Sequence, residues 1–161
     1  MASDYFLKID GIDGASIQKG HEKWIEIQSF SWGMSQTSSH GAGGGGGTGK
    51  VSVQDFHFVA HTGVQSPPLL VATGTGEHFK KAVLSVSDAS TSADGVKGAA
   101  IKIELENVLV SSYQFGGTQG SDDGRPADQF SLNFTKIEML VADASGASVR
   151  GGWDVAANKK V

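Results

Sequence analysis

A two-residue alternation of apolar and polar side chains runs through this chain and decides what it can become. Ile101, Ile103 and Leu105 alternate with Lys102, Glu104 and Glu106. Only an extended strand separates such residues onto opposite faces. Tyr5, Leu7 and Ile9 share one face of a short strand that closes at the turn-forming run Asp10-Gly11-Ile12-Asp13-Gly14. Residues 23–36 and 50–61 read as two long strands, and residues 79–87 as a third with Ala82, Leu84 and Val86 inward. The strand from Ile101 continues through Val108-Leu109-Val110 towards Tyr113 and Phe115. Phe130, Leu132 and Phe134 begin another, and Gly152 to Val155 form a short last one. Residues 88–98 and 116–128 read as polar loops. One helix start stands out: Ser66 as N-cap, Pro67 at the first helical position and an apolar run after it, ended by Gly74 and Gly76. Seven or eight strands and one short flanking α-helix predict an all-β fold, a single β-barrel of two packed antiparallel sheets. A length of 161 residues suits one domain over 1–161.

Three strands change their apolar phase partway. Ile25 and Ile27 give way to Phe30 and Trp32, Val51 and Val53 to Phe56 and Phe58, and Phe134 to Ile137, Met139 and Val141. A bulge or a barrel corner produces such a switch, and so does a strand that shows apolar groups to the outside. Three switches point to outward apolar surface, which makes Phe30, Trp32, Phe56 and Phe58 subunit-interface candidates. In Phe30-Ser31-Trp32 the two aromatics share one face, and Ser29 and Ser31 share the other. The serine face is either an ordinary wet surface or the wall of a cavity that exists only in an assembly.

No chemistry of catalysis or metal binding is asked for. The absence of Cys excludes disulfides, cysteine-based metal sites and a cysteine nucleophile. A net charge of −4 with only two Arg argues against nucleic acid. No run approaches the length of a membrane helix, and MASDYFLKID has neither the basic start nor the apolar stretch of a secretory signal. Gly41 to Gly49, with seven Gly in nine residues, predicts a mobile loop within residues 37–49. Its end, Gly44-Gly45-Gly46-Gly47-Thr48-Gly49-Lys50-Val51, nearly spells a phosphate-binding loop, but Val51 stands where a hydroxyl must hold magnesium, and a strand pattern follows where a helix is required. Gly74-Thr75-Gly76 lacks the third glycine of a dinucleotide fingerprint. His57 and His61 lie about 13 Å apart on a strand, too far for one ion. His21, His40 and His78 have no companions at ligand spacing, and Asp122-Asp123-Gly124 lacks a calcium-loop series. No cofactor is expected, and no enzyme activity.

Seven stretches, taken in order, resemble one family: FLKIDGIDG (6–14), WIEIQSFSWGMSQ (24–36), GGGGGTGKVSVQDFHF (43–58), SPPLLVATGTGEHFKKAVL (66–84), VLVSSYQFGG (108–117), SLNFTKIEMLV (131–141) and GWDVAANK (152–159). Together they resemble the hemolysin-coregulated proteins (Hcp), inner-tube subunits of bacterial type VI secretion. The resemblance implies a homo-hexameric ring, rings stacked into a hollow tube, and sheath, spike and effector proteins as partners, with no nucleic acid and no membrane insertion. It implies synthesis in the bacterial cytoplasm and export through the secretion apparatus without a signal peptide. By the same likeness Ser31, with Ser29 beside it, faces the channel and contacts effectors. The loop carrying Gly41, Gly43, Gly44, Gly45, Gly46 and Gly47 reaches the neighbouring ring. No appended effector domain is expected. The competing class is a monomeric β-sandwich module binding a ligand or carbohydrate, with Trp24, Trp32 and Trp153 as stacking platforms.

Overall fold

The computed structural model describes residues 3–36, 51–88, 100–120, 124–143 and 145–161. Twelve strands and one helix follow in chain order: β1 (Ser3–Ile9), β2 (Ile25–Ile27), β3 (Ser29–Ser31), β4 (Met34–Gln36), β5 (Val51–Val53), β6 (Phe56–His61), α1 (Ser66–Thr75), β7 (His78–Asp88), β8 (Ala100–Gly116), β9 (Ala127–Asn133), β10 (Lys136–Ala142), β11 (Ser148–Asp154) and β12 (Lys159–Lys160). Ten strands form one antiparallel sheet, with the path β12-β11-β10-β8-β7-β1-β2 and a branch from β8 through β9 and β6 to β3. The β4–β5 hairpin is a second, two-stranded sheet. The all-β expectation with one short helix holds, but the sheet curls round its core without forming a closed barrel. The cause lies at residues 25–31, where two three-residue strands pair with different partners, β2 with β1 and β3 with β6.

Two of the phase switches, and the start of the third, therefore have another meaning than the outward one. The predicted strand over 23–36 is three strands, and the change of phase falls at Gln28, where the chain leaves β1 and the Gln28 N–H donates to the Val59 carbonyl at 2.8 Å. The strand over 50–61 breaks at Gln54-Asp55. The third switch is a crease across neighbouring strands. Phe79 and Ala82 of β7, Leu105 and Val108 of β8, and Phe134 and Ile137 around the β9–β10 junction are all buried, three residues apart in each case. Cross-strand pairing aligns them: Phe79 with Val108, Ala82 with Leu105, Leu105 with Ile137. Asn107 sits in the crease at φ 54°, a left-handed conformation that Asn tolerates better than most residues. Both phases thus face one side of the sheet: Phe134 and Ile137 enter the core, while Met139 and Val141 of the switched phase stay exposed beyond it.

That core is lined by Leu7, Ile9, Ile25, Leu84, Ile103 and Leu105 on one side and by an aromatic row on the other. Phe56 stacks on Phe58 at 4.8 Å between ring centres, and Phe58 on Phe130 at 5.3 Å. The helix closes the crease end with Leu69 and Ala72. Gln65, not Ser66, takes the N-cap position. Ser66 lies inside the first turn, where its Oγ accepts from the Gly63 N–H at 3.0 Å and donates to Asp128. Asp128 is buried, and it also accepts from Thr62 Oγ1 and Tyr113 OH, each at 2.9 Å. A buried carboxylate needs such donors, so this cluster ties α1 to β8 and β9.

Candidate functional site: an uncovered core face and a polar wall

Three rows of paired residues cross the sheet from β1 to β11 on its core face. The first is Ile9, Ala82, Leu105, Ile137, Trp153, and the second Leu7, Leu84, Ile103, Met139, Gly151. The third is Tyr5, Val86, Ile101, Val141, Val149. Along the second row exposure rises from 4 % at Ile103 to 40 % at Met139. In the third it reaches 37 % at Val141 and 74 % at Val149. The face that covers the core thus runs on past it, still apolar, with no layer above it among the described residues. Trp32, Met34, Ile137, Met139, Val141, Val149 and Trp153 line a groove there of about 370 Å³. Burying a Val or Met side chain stabilises by about 1.5–3 kcal/mol, so leaving several in water at one place marks a contact surface.

Gly152 makes the groove possible. A Cβ at that position would lie 2.8 Å from the Ile137 carbonyl oxygen and 2.9 Å from Glu138 Cγ, so only glycine lets β11 lie this close to β10. The opposite face of these strands is charged and wet. Lys81 and Lys102 reach Glu104 at 3.3 and 3.1 Å, and Lys136 reaches Glu106 at 3.8 Å. Burial alone would raise the Glu104 pKa, but the hydrogen bonds from Lys102 and Lys81 outweigh it and hold the carboxyl below its usual range.

The second surface is the non-core face of β3, β6, β9 and β8. Ser31, His57, Ser131 and Ser112 pair across these four strands, and Ser29, Val59, Gln129 and Gln114 form the adjoining row. At a strand spacing of about 4.8 Å the wall is about 14 Å wide. Beside it Asp55 accepts from Ser111 Oγ at 2.7 Å and from Asn133 Nδ2 at 2.9 Å, while Ser131 bridges Ser111 and Ser112. The wall is small, hydroxyl- and amide-rich, and nearly without charge.

The sequence-derived residues divide between these surfaces. Ser29 and Ser31 are exposed on the polar wall. Phe30 and Trp32 are half-buried and packed against the core; Trp32 Nε1 donates to the Gln54 carbonyl at 2.8 Å, and its edge reaches the groove. Phe56 and Phe58 require a correction: each is 1 % exposed inside the subunit's own core and cannot serve as an interface residue. The break at Gln54-Asp55 turns their phase inward. Gly41, Gly43, Gly44, Gly45, Gly46 and Gly47 lie outside the described residues, as do His40, Asp122 and Asp123. His21 Nε2 meets Ser85 Oγ at 3.1 Å, and His78 Nδ1 meets Asn107 Oδ1 at 3.1 Å. His61 Nε2 lies 2.7 Å from Gln28 Nε2. No group of three metal-ligating side chains occurs among the described residues, and none of the described helices is long and apolar enough to cross a membrane.

Sequence reasoning missed His57, Gln114 and Gln129 on the wall and Val149 in the groove. The wall residues carry a signal, since each alternates with a core residue of its strand: His57 with Phe58, Gln129 with Phe130. Val149 carries none, being one apolar residue in a polar and Gly-rich run.

A model of the family described as type VI secretion system effector, Hcp, matches residues 6–140. The chain is 37 % identical to Protein hcp1 of Pseudomonas aeruginosa, with 98 % of each chain covered. Among solved structures, it is similar to Hcp1 of Salmonella typhimurium at a TM-score of 0.82 and 29 % identity, both chains covered in full. A further structure, titled as a type six secretion system protein, matches at a TM-score of 0.83 and 28 % identity over 99 % of this chain and 100 % of the other.

Proposed function

The chain belongs to the Hcp family of type VI secretion proteins, and from that premise we propose that it is a structural subunit of the secretion inner tube. Six copies close into a ring, rings stack into a hollow tube, and a contracting sheath expels the tube behind its spike. The observation that supports this reading is the uncovered core face at Met139, Val141 and Val149. A monomer gains nothing from it, whereas a neighbour seated there completes the core.

The polar wall then lines the channel, with Ser31 and Ser29 facing the cargo. Small hydroxyls leave room, and uncharged amides hold polar protein surfaces by hydrogen bonds without the desolvation cost of fixed charges. The chain is made in the cytoplasm and leaves through the secretion apparatus as a structural tube subunit. Negative-stain images of the purified chain test this reading: rings with an open centre are expected, and a field of solitary particles of single-chain size would refute it.

The carbohydrate-module reading needs exposed coplanar tryptophans. Trp24, Trp32 and Trp153 are all half-buried, and Trp24 packs T-shaped against His21 at 4.8 Å between ring centres.

A further inference from the structure

The polar wall is close to uncharged, so the place of its few ionisable groups is informative. His57 is exposed in the serine row, between Ser31 of β3 and Ser131 of β9. Two residues earlier on the same side of the chain stands Asp55, whose carboxylate accepts from Ser111 Oγ and Asn133 Nδ2. A carboxylate offers about four acceptor positions, so about two stay open to an arriving donor. Ser111 reaches Asp55 because the β8–β9 register shifts between Val110 and Ser112, a bulge that turns both serines towards Ser131. The wall positions of β3, β9 and β8 that face His57 carry hydroxyls and amides, with no titratable group among them. On β6 the titratable neighbours are Asp55 on one side and His61 on the other, where Arg125 shares a pocket with His61, Gln28 and Gln114. At ~3.3 Å per residue Asp55 lies about 7 Å from His57 and about 20 Å from His61. Salt at about 0.1 M screens charges beyond about 10 Å, so Asp55 feels His57 far more than the cationic end at Arg125.

We propose that the Asp55 end of the wall takes a basic protein surface, a Lys or Arg side chain of the cargo, and that protonation of His57 releases it. The proposal rests on the reading of the wall as the cargo face, and adds which cargo chemistry it favours and what reverses the contact. Charge complementarity carries the first part: the paired wall positions hold no fixed charge, and Asp55 is the carboxylate bonded to them, with acceptor positions to spare. The second part follows from the imidazole, which gains its proton between pH 8 and 5 and stands within a screening length of Asp55. Neutral His57 leaves the field of the carboxylate intact. Protonated His57 cancels that field and repels a cationic cargo, so the contact is complete at the alkaline end of this window and is lost towards the acid end.

Short fluorescent peptides test this, one of alternating Lys and Gly and one of alternating Glu and Gly. Each is titrated with the purified chain at pH 8 and at pH 5 and followed by anisotropy, while light scattering reports the assembled mass. The expected result is tighter binding of the Lys peptide at pH 8, weakened about two- to fivefold at pH 5, the size of one exposed ion pair. His57→Gln should keep the alkaline affinity at pH 5, and Asp55→Asn should bind the Lys peptide weakly at both. Equal weakening at pH 5 in the parent and in His57→Gln overturns the proposal, as does a parent with no preference for the Lys peptide at pH 8. Chains that show the His57-dependent loss but keep single-chain mass uphold the charge preference and overturn the tube reading. Ring-sized particles without that loss overturn the charge preference and leave the tube reading standing.

Discussion

Val141 of β10 stands directly opposite Val149 of β11, and the pair lies on the same face of the sheet as buried Ile103 and Leu105. The two valines are the last rung of the core's own ladder, left without a cover among the described residues. Val141 is 37 % and Val149 74 % exposed.

Replacing Val149 by Asp puts a charge where an apolar neighbour is expected to sit. The loss of about 1.5–3 kcal/mol of burial corresponds to about a 10- to 100-fold weaker contact, with the charge adding to it. Light scattering should show the assembled mass falling to that of the single chain. Thermal melts followed by circular dichroism should stay close to those of the parent, because the side chain is exposed in the subunit.

Phe58→Ala should do the reverse. With its ring 1 % exposed and stacked between Phe56 and Phe130, truncation leaves a cavity and should cost about 3–5 kcal/mol in urea unfolding. A variant of unchanged stability but weakened assembly would restore Phe58 to the outer surface.

Ser31→Gln places a longer side chain on the polar wall next to His57. Ring formation should persist, since Ser31 lies on the opposite side of its strand from Phe30 and Trp32, while the amount of effector protein recovered with the rings should fall. Retention of effector at the parental level in intact rings would remove Ser31 from the channel wall.

Tyr113 gives a pH signature. Burial first, and then its hydrogen bond to the Asp128 carboxylate, raise its pKa above the ordinary value of 10.0. The fold favours the neutral phenol. Its contribution is therefore complete below pH 10 and lost as pH rises through the elevated pKa, when a phenolate would face Asp128. Melting temperatures measured at neutral pH and above pH 10 should fall more steeply in the parent than in Tyr113→Phe, which has no such proton to lose.

Much of this molecule can be read from alternation alone. The inward faces of β1, β7 and the first half of β8 follow from Leu7 and Ile9, Ala82 and Leu84, Ile103 and Leu105. The polar phase at Ser29 and Ser31 is equally plain. What alternation cannot convey is which way a switched phase points, because direction depends on the partner strand. Gln28 changes partner from β1 to β6, and Asn107 folds a crease shared with β7 and the β9–β10 junction, so aromatics that look displaced from one face are delivered to the same core. The β11 side of the groove was illegible for a related reason, although Met139 and Val141 on its β10 side read as an outward phase. Ser148 to Gly151 become a strand by pairing with β10, and nothing local to that run announces it.

The mass of the purified chain in solution, measured by light scattering across a range of concentrations, tests the central claim most directly. A species of six times the 16.7 kDa chain is the predicted result, and a 16.7 kDa species that persists at the highest concentration would contradict it.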